Sequence, residues 1–409
     1  MRLPITEQEA QQRMTIDPSL LTDENLHSIL IGPEIALVND GFTFDSPEDL
    51  SSEQLFMLFL YWSADYTYTR DNYKQADGKY HFTESFVNGV LRDHFGDGSF
   101  TCDITQCGNY DASDGTAVIE NVSGFGGDRD LRIADVQVLE GSTVQVTADF
   151  YNADPFLDGS GGELRYARKV YTLDFYYGGA LFQSAQFAAL PEDDLRAALQ
   201  LHTGETTDDL AQLFWTYDSQ NGNLLGSLPS GNWTVLPLTE DAWDGLSLFV
   251  YRRWARKNNW PLTISETDFD HTLVRYFPLG RYGWEDRSSH YLTYQDDVYA
   301  RTVYDDGHGA RYCYLKRSSC MTDGSFRLVF RCLDVPELTE YADASADVRA
   351  VYDHAGAEEL QPQEFRRAVY RAFADGVIPT GNSMTELTVT VRLTGDALQP
   401  FYFLSASDA

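Results

Sequence analysis

Two stretches of the chain about 180 residues apart follow one plan, and a plan used twice constrains the fold more than any single motif. Val87, Val90, Leu91, His94 and Phe95 fall at i, i+3, i+4, i+7 and i+8, the apolar face of an amphipathic helix. Phe269, Thr272, Leu273, Tyr276 and Phe277 repeat that spacing, each displaced by 182 positions. A hydroxyl able to cap the helix precedes each stripe, Thr83 and Ser265, with Glu84 and Glu266 in the first turn.

Further segments match in the same order. An earlier helix carries Phe56, Phe59, Leu60 and Tyr61, answered by Leu246, Phe249, Val250 and Tyr251 at an offset of 190. The eight extra positions fall in the loop 66–80 of the first copy, where Asp77-Gly78 marks a turn. Tyr171, Leu173, Phe175 and Tyr177 alternate in phase with Leu387, Val389, Val391 and Leu393, and each run ends near a glycine, Gly179 or Gly395. Period-two alternation marks antiparallel strands with one buried face, and we read these as the last strand of each copy. Glu140-Gly141 feeding Val144, Val146 and Ala148 parallels Asp323-Gly324 feeding Leu328, Phe330 and Cys332.

The pattern predicts an α+β fold of two tandem modules, each with two helices followed by a curved antiparallel sheet. At 409 residues the chain can give each module its own core. Residues 1–50 read as an N-terminal accessory segment with short helices at 6–14 and 18–28, after which Pro33 and a turn at 41–47 lead into the first module, 51–190. Residues 191–237 read as a helical connector, its first helix opened by Pro191 and its second at 207–217. The second module, 238–409, carries an insertion at 336–382, with a helix begun near Pro362, striped by Phe365, Val369 and Phe373, and stopped at Gly376.

Helices leading into a curved antiparallel sheet within about 140 residues resemble the NTF2-like and cystatin-like superfolds. Through Ile31-Gly32-Pro33-Glu34-Ile35-Ala36-Leu37-Val38 and Ser52-Glu53-Gln54-Leu55-Phe56 the chain also resembles uncharacterised exported lipoproteins of anaerobic gut bacteria. That resemblance implies a surface protein and carries over no functional residue.

Charge excludes some partners. The 63 acidic residues outnumber 30 basic ones, a net charge of −33 that repels nucleic acid and anionic membranes. The longest apolar run, 55–62, is far too short to span a bilayer. A lysine-poor, Asp-, Gly-, Ser-, Thr- and Tyr-rich composition points to an extracellular or surface-anchored monomer whose signal segment is not in this chain. If Met1 is the true start, a cytoplasmic location follows. Among the cysteines, Cys102 with Cys107 and Cys313 with Cys332 are positioned to meet, leaving Cys320 over. The odd count without a CxxC favours buried free thiols.

Motifs for chemistry are sparse. The glycine-rich stretch 152–163 places Asp154, Asp158 and Glu163 where oxygen ligands can take Ca²⁺, although it departs from the EF-hand pattern and reads first as a solvated hairpin loop. The turn at 305–309 is similar. Residues 124–127 make no phosphate loop, Ser160 sits in no nucleophile elbow, and the eight histidines do not cluster, with His94 read as a satisfied core residue. Arg252, Arg253, Arg256 and Lys257 crowd between Trp254 and Trp260 at the end of a helix. Cations there complement the helix dipole, while Trp254, Arg256 and Trp260 together form a candidate stacking and hydrogen-bonding site. The expectation is a non-enzymatic protein, needing no cofactor, that binds a small ligand, cell-wall glycan, peptide or protein at a concave sheet face or a groove between modules. A carboxylate-dependent glycan or peptide hydrolase and a structural surface spacer are the alternatives.

Overall fold

The computed structural model describes residues 16, 18–37, 42–66, 70–98, 100–120, 130–152, 164–176, 179–234, 238–279, 288–302, 310–335, 341–377, 384–396 and 399–408. The chain is α+β and divides into two compact units, 1–189 and 190–409.

Unit 1 opens with α1 (Asp23–Ala36), capped by Thr22, and α2 (Ser52–Trp62), whose Ser51 and Gln54 form a capping box. Then come β1 (Tyr80–Phe82), α3 (Glu84–Phe95), β2 (Tyr110–Asp111) and β3 (Thr116–Ile119), followed by β4 (Asp130–Val138), β5 (Thr143–Tyr151), β6 (Arg165–Tyr176) and β7 (Gly179–Phe187). The last four form an antiparallel meander in sequence order, and the short strands form a small sheet ordered β1-β3-β2. Thr83 caps α3 as its sequence predicts, accepting a hydrogen bond from the Phe86 N–H. Val87, Val90, Leu91 and Phe95 are buried against the meander, and Leu26 and Leu30 from α1 complete this core. Residues 23–36, within the segment read as accessory, are therefore core material of the unit.

Helix α1 differs from expectation in running through Pro33 rather than stopping before it. Interior proline forfeits a helix hydrogen bond, and what this helix carries compensates. A Cβ added at Gly32 would lie 2.4 Å from the Tyr61 ring, so glycine allows α1 and α2 to approach. Glu34, fully buried, accepts hydrogen bonds from Lys169 Nζ at 2.7 and 2.8 Å and from Tyr171 Oη at 2.6 Å.

Unit 2 begins with α4 (Glu192–Thr203), N-capped at Pro191, and α5 (Leu210–Gln220). It continues with β8 (Gly231–Asn232), α6 (Glu240–Lys257), β9 (Thr263–Ser265), α7 (Glu266–Tyr276), β10 (Leu292–Gln295) and β11 (Val298–Arg301). Next are β12 (Ala310–Cys320), β13 (Phe326–Val335), α8 (Ala346–Ala355), α9 (Pro362–Ala374), β14 (Met384–Asp396) and β15 (Gln399–Asp408). Its main sheet runs β12-β13-β14-β15-β8 and its small sheet β10-β11-β9. Both α8 and α9 lie in the stretch read as an insertion with one helix. They bury Val348, Val351, Phe365, Val369 and Phe373 with Leu333 and Val335 of β13.

Within each unit, then, the strand that precedes the second amphipathic helix joins a three-stranded sheet, and a four-strand meander follows. Phe95 and Phe277 are both buried. Phe95 packs against Phe44 and Phe182, Phe277 against Trp233 and Phe403. Phe44 and the β8 segment preceding Trp233 each pair with the final strand of their unit. That final strand, β7 or β15, follows the strand that the sequence reading took as last, β6 or β14, and lies inside the module bounds read from the sequence. The alternation that exposes a strand to sequence reading is weaker in β7, where Gln183, Ser184 and Gln186 interrupt it.

Candidate functional site

An open groove of about 710 Å³ lies in unit 1, lined by Asn72, Tyr73, Gln75, Ala76, Asp77, His81, Thr83, Asp114 and Thr116. One wall comes from the loop between α2 and β1, which holds the Asp77-Gly78 turn. Gly78 takes φ +85°, which lets the chain turn back so that Lys79 N–H donates to Asp77 Oδ1 at 2.9 Å. The opposite wall is the β2–β3 turn. There Asp114 Oδ1 accepts from the N–H and hydroxyl of Thr116 at 3.1 and 2.6 Å, and Asp111 Oδ1 accepts from Ser113 N–H at 2.8 Å.

His81, on β1, joins the two walls. Its Nδ1 lies 2.6 Å from Asp114 Oδ2 and its Nε2 3.1 Å from Asp77 Oδ2. Hydrogen bonding to Asp77 and then to Asp114 raises the imidazole above its usual range, favouring imidazolium. Asp77 is held below the usual carboxylate range by the Lys79 N–H and by His81, and Asp114 by Thr116 and His81. Tyr73 stacks on Phe86 with centroids 4.4 Å apart, which fixes the ring's plane in the wall. The groove therefore combines two anionic acceptors, an imidazole, amides, hydroxyls and an aromatic ring.

Of the sequence-predicted site in unit 2, Trp260 is 54 % exposed, Arg256 is exposed and Trp254 is half-buried. Arg256 Nη1 donates to the Gly222 carbonyl at 2.6 Å, and with Lys257 it closes the last turn of α6. Arg253 is buried over the Tyr276 ring. Asn259 and Trp260 both have positive φ, 64° and 57°, while the Trp260 N–H donates to the Ala255 carbonyl at 2.8 Å. The expected calcium ligands Asp154, Asp158 and Glu163 lie outside the described residues, as do the turns at 124–127 and 305–309. Among the described residues no group of three or more His, Cys, Asp or Glu is arranged to hold a metal ion, and no helix is long and apolar enough to cross a membrane.

Sequence reasoning singled out Asp77-Gly78 only as a turn and missed His81, Asp114 and Tyr73. The available signal was local: Asp111-x-Ser113 and Asp114-x-Thr116 are spaced for side-chain turns. His94, read as a satisfied core residue, stacks on Trp62 at 3.9 Å, and its buried Nε2 has no hydrogen-bond partner among the described residues. Burial pushes its pKa down to about 4.

Comparisons with protein-family models, with curated proteins and with solved structures return no match to this chain.

Proposed function

We propose that this is a non-enzymatic, exported binding protein made of two copies of one NTF2-like or cystatin-like module, and that it takes a glycan or peptide in the unit 1 groove. The matching strand orders, the shared caps Thr83 and Ser265 and the similar surroundings of Phe95 and Phe277 support duplication. The groove carries the functional reading. Its size falls within the roughly 300–1,000 Å³ of small-molecule sites. Its single aromatic face, bordered by Asn72, Gln75, Asp77 and Asp114, suits a ligand rich in hydroxyl or amide groups. The helix-facing side of the meander is filled by Val144, Val146, Tyr171, Leu173 and Phe182, all buried, which favours the groove over that sheet face.

A carboxylate hydrolase needs one acid held protonated beside one held ionised. Asp77 and Asp114 are both shifted toward ionisation, which favours binding over that chemistry. The test is a glycan and peptide array on wild type, Tyr73→Ala, Asp114→Asn and Trp260→Ala. Binding lost in the first two variants and kept in the third is expected. Equal binding by all four refutes the groove, and selective loss in Trp260→Ala moves the site to unit 2.

A further inference from the structure

The five cysteines carry an inference independent of the ligand site. All are unbridged here, four buried and Cys320 exposed. Cys313 and Cys332 are direct partners in the β12–β13 ladder, with sulfurs 2.9 Å apart. Directly opposed residues of antiparallel strands have Cα atoms about 4.5–5.5 Å apart, inside the roughly 4.4–6.8 Å that a disulfide spans, so a bond needs no backbone movement.

In unit 1, Cys102 and Cys107 bracket the single 3-10 turn Ile104–Gln106. Both thiols point at one acceptor, the Ser52 carbonyl, at 3.3 and 3.6 Å, which brings the sulfurs together at the start of α2. The backbone is pinned on both sides of Cys102, since Asn88 Oδ1 accepts its N–H at 2.8 Å and Asn88 Nδ2 donates to its carbonyl at 3.1 Å. Cys320 is different. Its ladder partner is Phe326, and no sulfur faces it across the strands.

We propose that Cys102–Cys107 and Cys313–Cys332 are disulfide sites, one in each unit, which close when the chain meets a low-molecular-weight disulfide oxidant, and that Cys320 stays a free thiol. In each pair one thiolate attacks a sulfur of oxidised glutathione, forming a mixed disulfide and releasing one glutathione thiolate. The partner thiolate then attacks the protein sulfur of that mixed disulfide, forming the intramolecular S–S bond and releasing the second glutathione. Each pair loses two protons and two electrons, and one glutathione disulfide becomes two thiols. Such sites suit an oxidising compartment.

The experiment refolds the full chain from denaturant, where every thiol is accessible, in a glutathione redox buffer and separately in dithiothreitol. Acid quenching, alkylation and mass spectrometry of the intact chain and its tryptic peptides follow. The expected count of alkylated thiols is five after dithiothreitol and one, on Cys320, after glutathione. The peptide holding Cys102 and Cys107 should lose two hydrogens, and those holding Cys313 and Cys332 should be linked. Cys332→Ser should raise the oxidised count from one thiol to two, and Cys320→Ser should lower it to none. Any bond to Cys320, a count above one in wild type after glutathione, or a chain that refolds only with dithiothreitol overturns the proposal.

Discussion

Glu34→Gln should be among the most damaging single-atom changes available in unit 1. Glu34 is fully buried, as is Lys169 apart from 2 % of its surface, and the ammonium sits 2.7 Å from one carboxylate oxygen. Among the described residues it also meets the Phe42 carbonyl at 3.2 Å and the faces of Phe187 and Phe150 at 4.8 and 5.5 Å, contacts weak beside that pair. The amide takes the charge of that carboxylate away from beside a buried cation, a loss that costs about 3–5 kcal/mol. Domains are stable by only about 5–15 kcal/mol, so this is a large fraction of the total. In a unit of this size each kcal/mol moves Tm by roughly 2–4 °C, giving a fall of about 6–20 °C. Urea unfolding of the full chain, followed by circular dichroism and scanning calorimetry, reads it. Glu34→Met combined with Lys169→Met removes both charges and should recover most of the loss, because a buried pair replaced by apolar groups is close to neutral. A loss below about 1 kcal/mol for Glu34→Gln, or a double variant as unstable as the sum of its singles, refutes this reasoning.

Leu91→Ala and Leu273→Ala should each cost about 2–5 kcal/mol in denaturant unfolding, since both leucines are buried on the faces the sequence assigned. His94 titrates at about 4 in the folded chain because burial disfavours imidazolium, against about 6.5 unfolded. Its contribution is present above pH 6.5 and lost as pH falls toward 4, about 3 kcal/mol in all, so His94→Phe should flatten that part of the stability-against-pH curve. Asp218 has the opposite sign. Desolvation raises it to about 6, against about 3.9 unfolded, so folding takes up a proton and stability falls by about 3 kcal/mol as pH rises from 4 to 6. The difference in unfolding free energy between wild type and Asp218→Asn, measured across that range, should show this slope, and a flat difference contradicts the burial argument.

What the sequence alone determined is what neighbours in the chain determine. Thr83 and Ser265 cap their helices, and Val87, Leu91, Phe269 and Leu273 turn inward, because capping and the 3.6-residue period act within one or two turns. Gly141 and Gly324 take the positive φ their turns require for the same reason. The Phe365, Val369 and Phe373 stripe on α9 was legible too, whereas α8 was not. Tertiary structure decided everything that joins distant positions. Lys169 finds Glu34 across 135 residues, and that burial outweighs the propensity of Pro33 to end α1. The final strand of each meander, β7 or β15, is held by pairing on both sides rather than by its own alternation. The groove was least legible of all. His81 lies 33 residues from Asp114 and becomes part of a site only when β1 and β3 pair. Long-range contacts between charged and polar side chains leave no period in a sequence, because their partners are chosen by the backbone that brings them together.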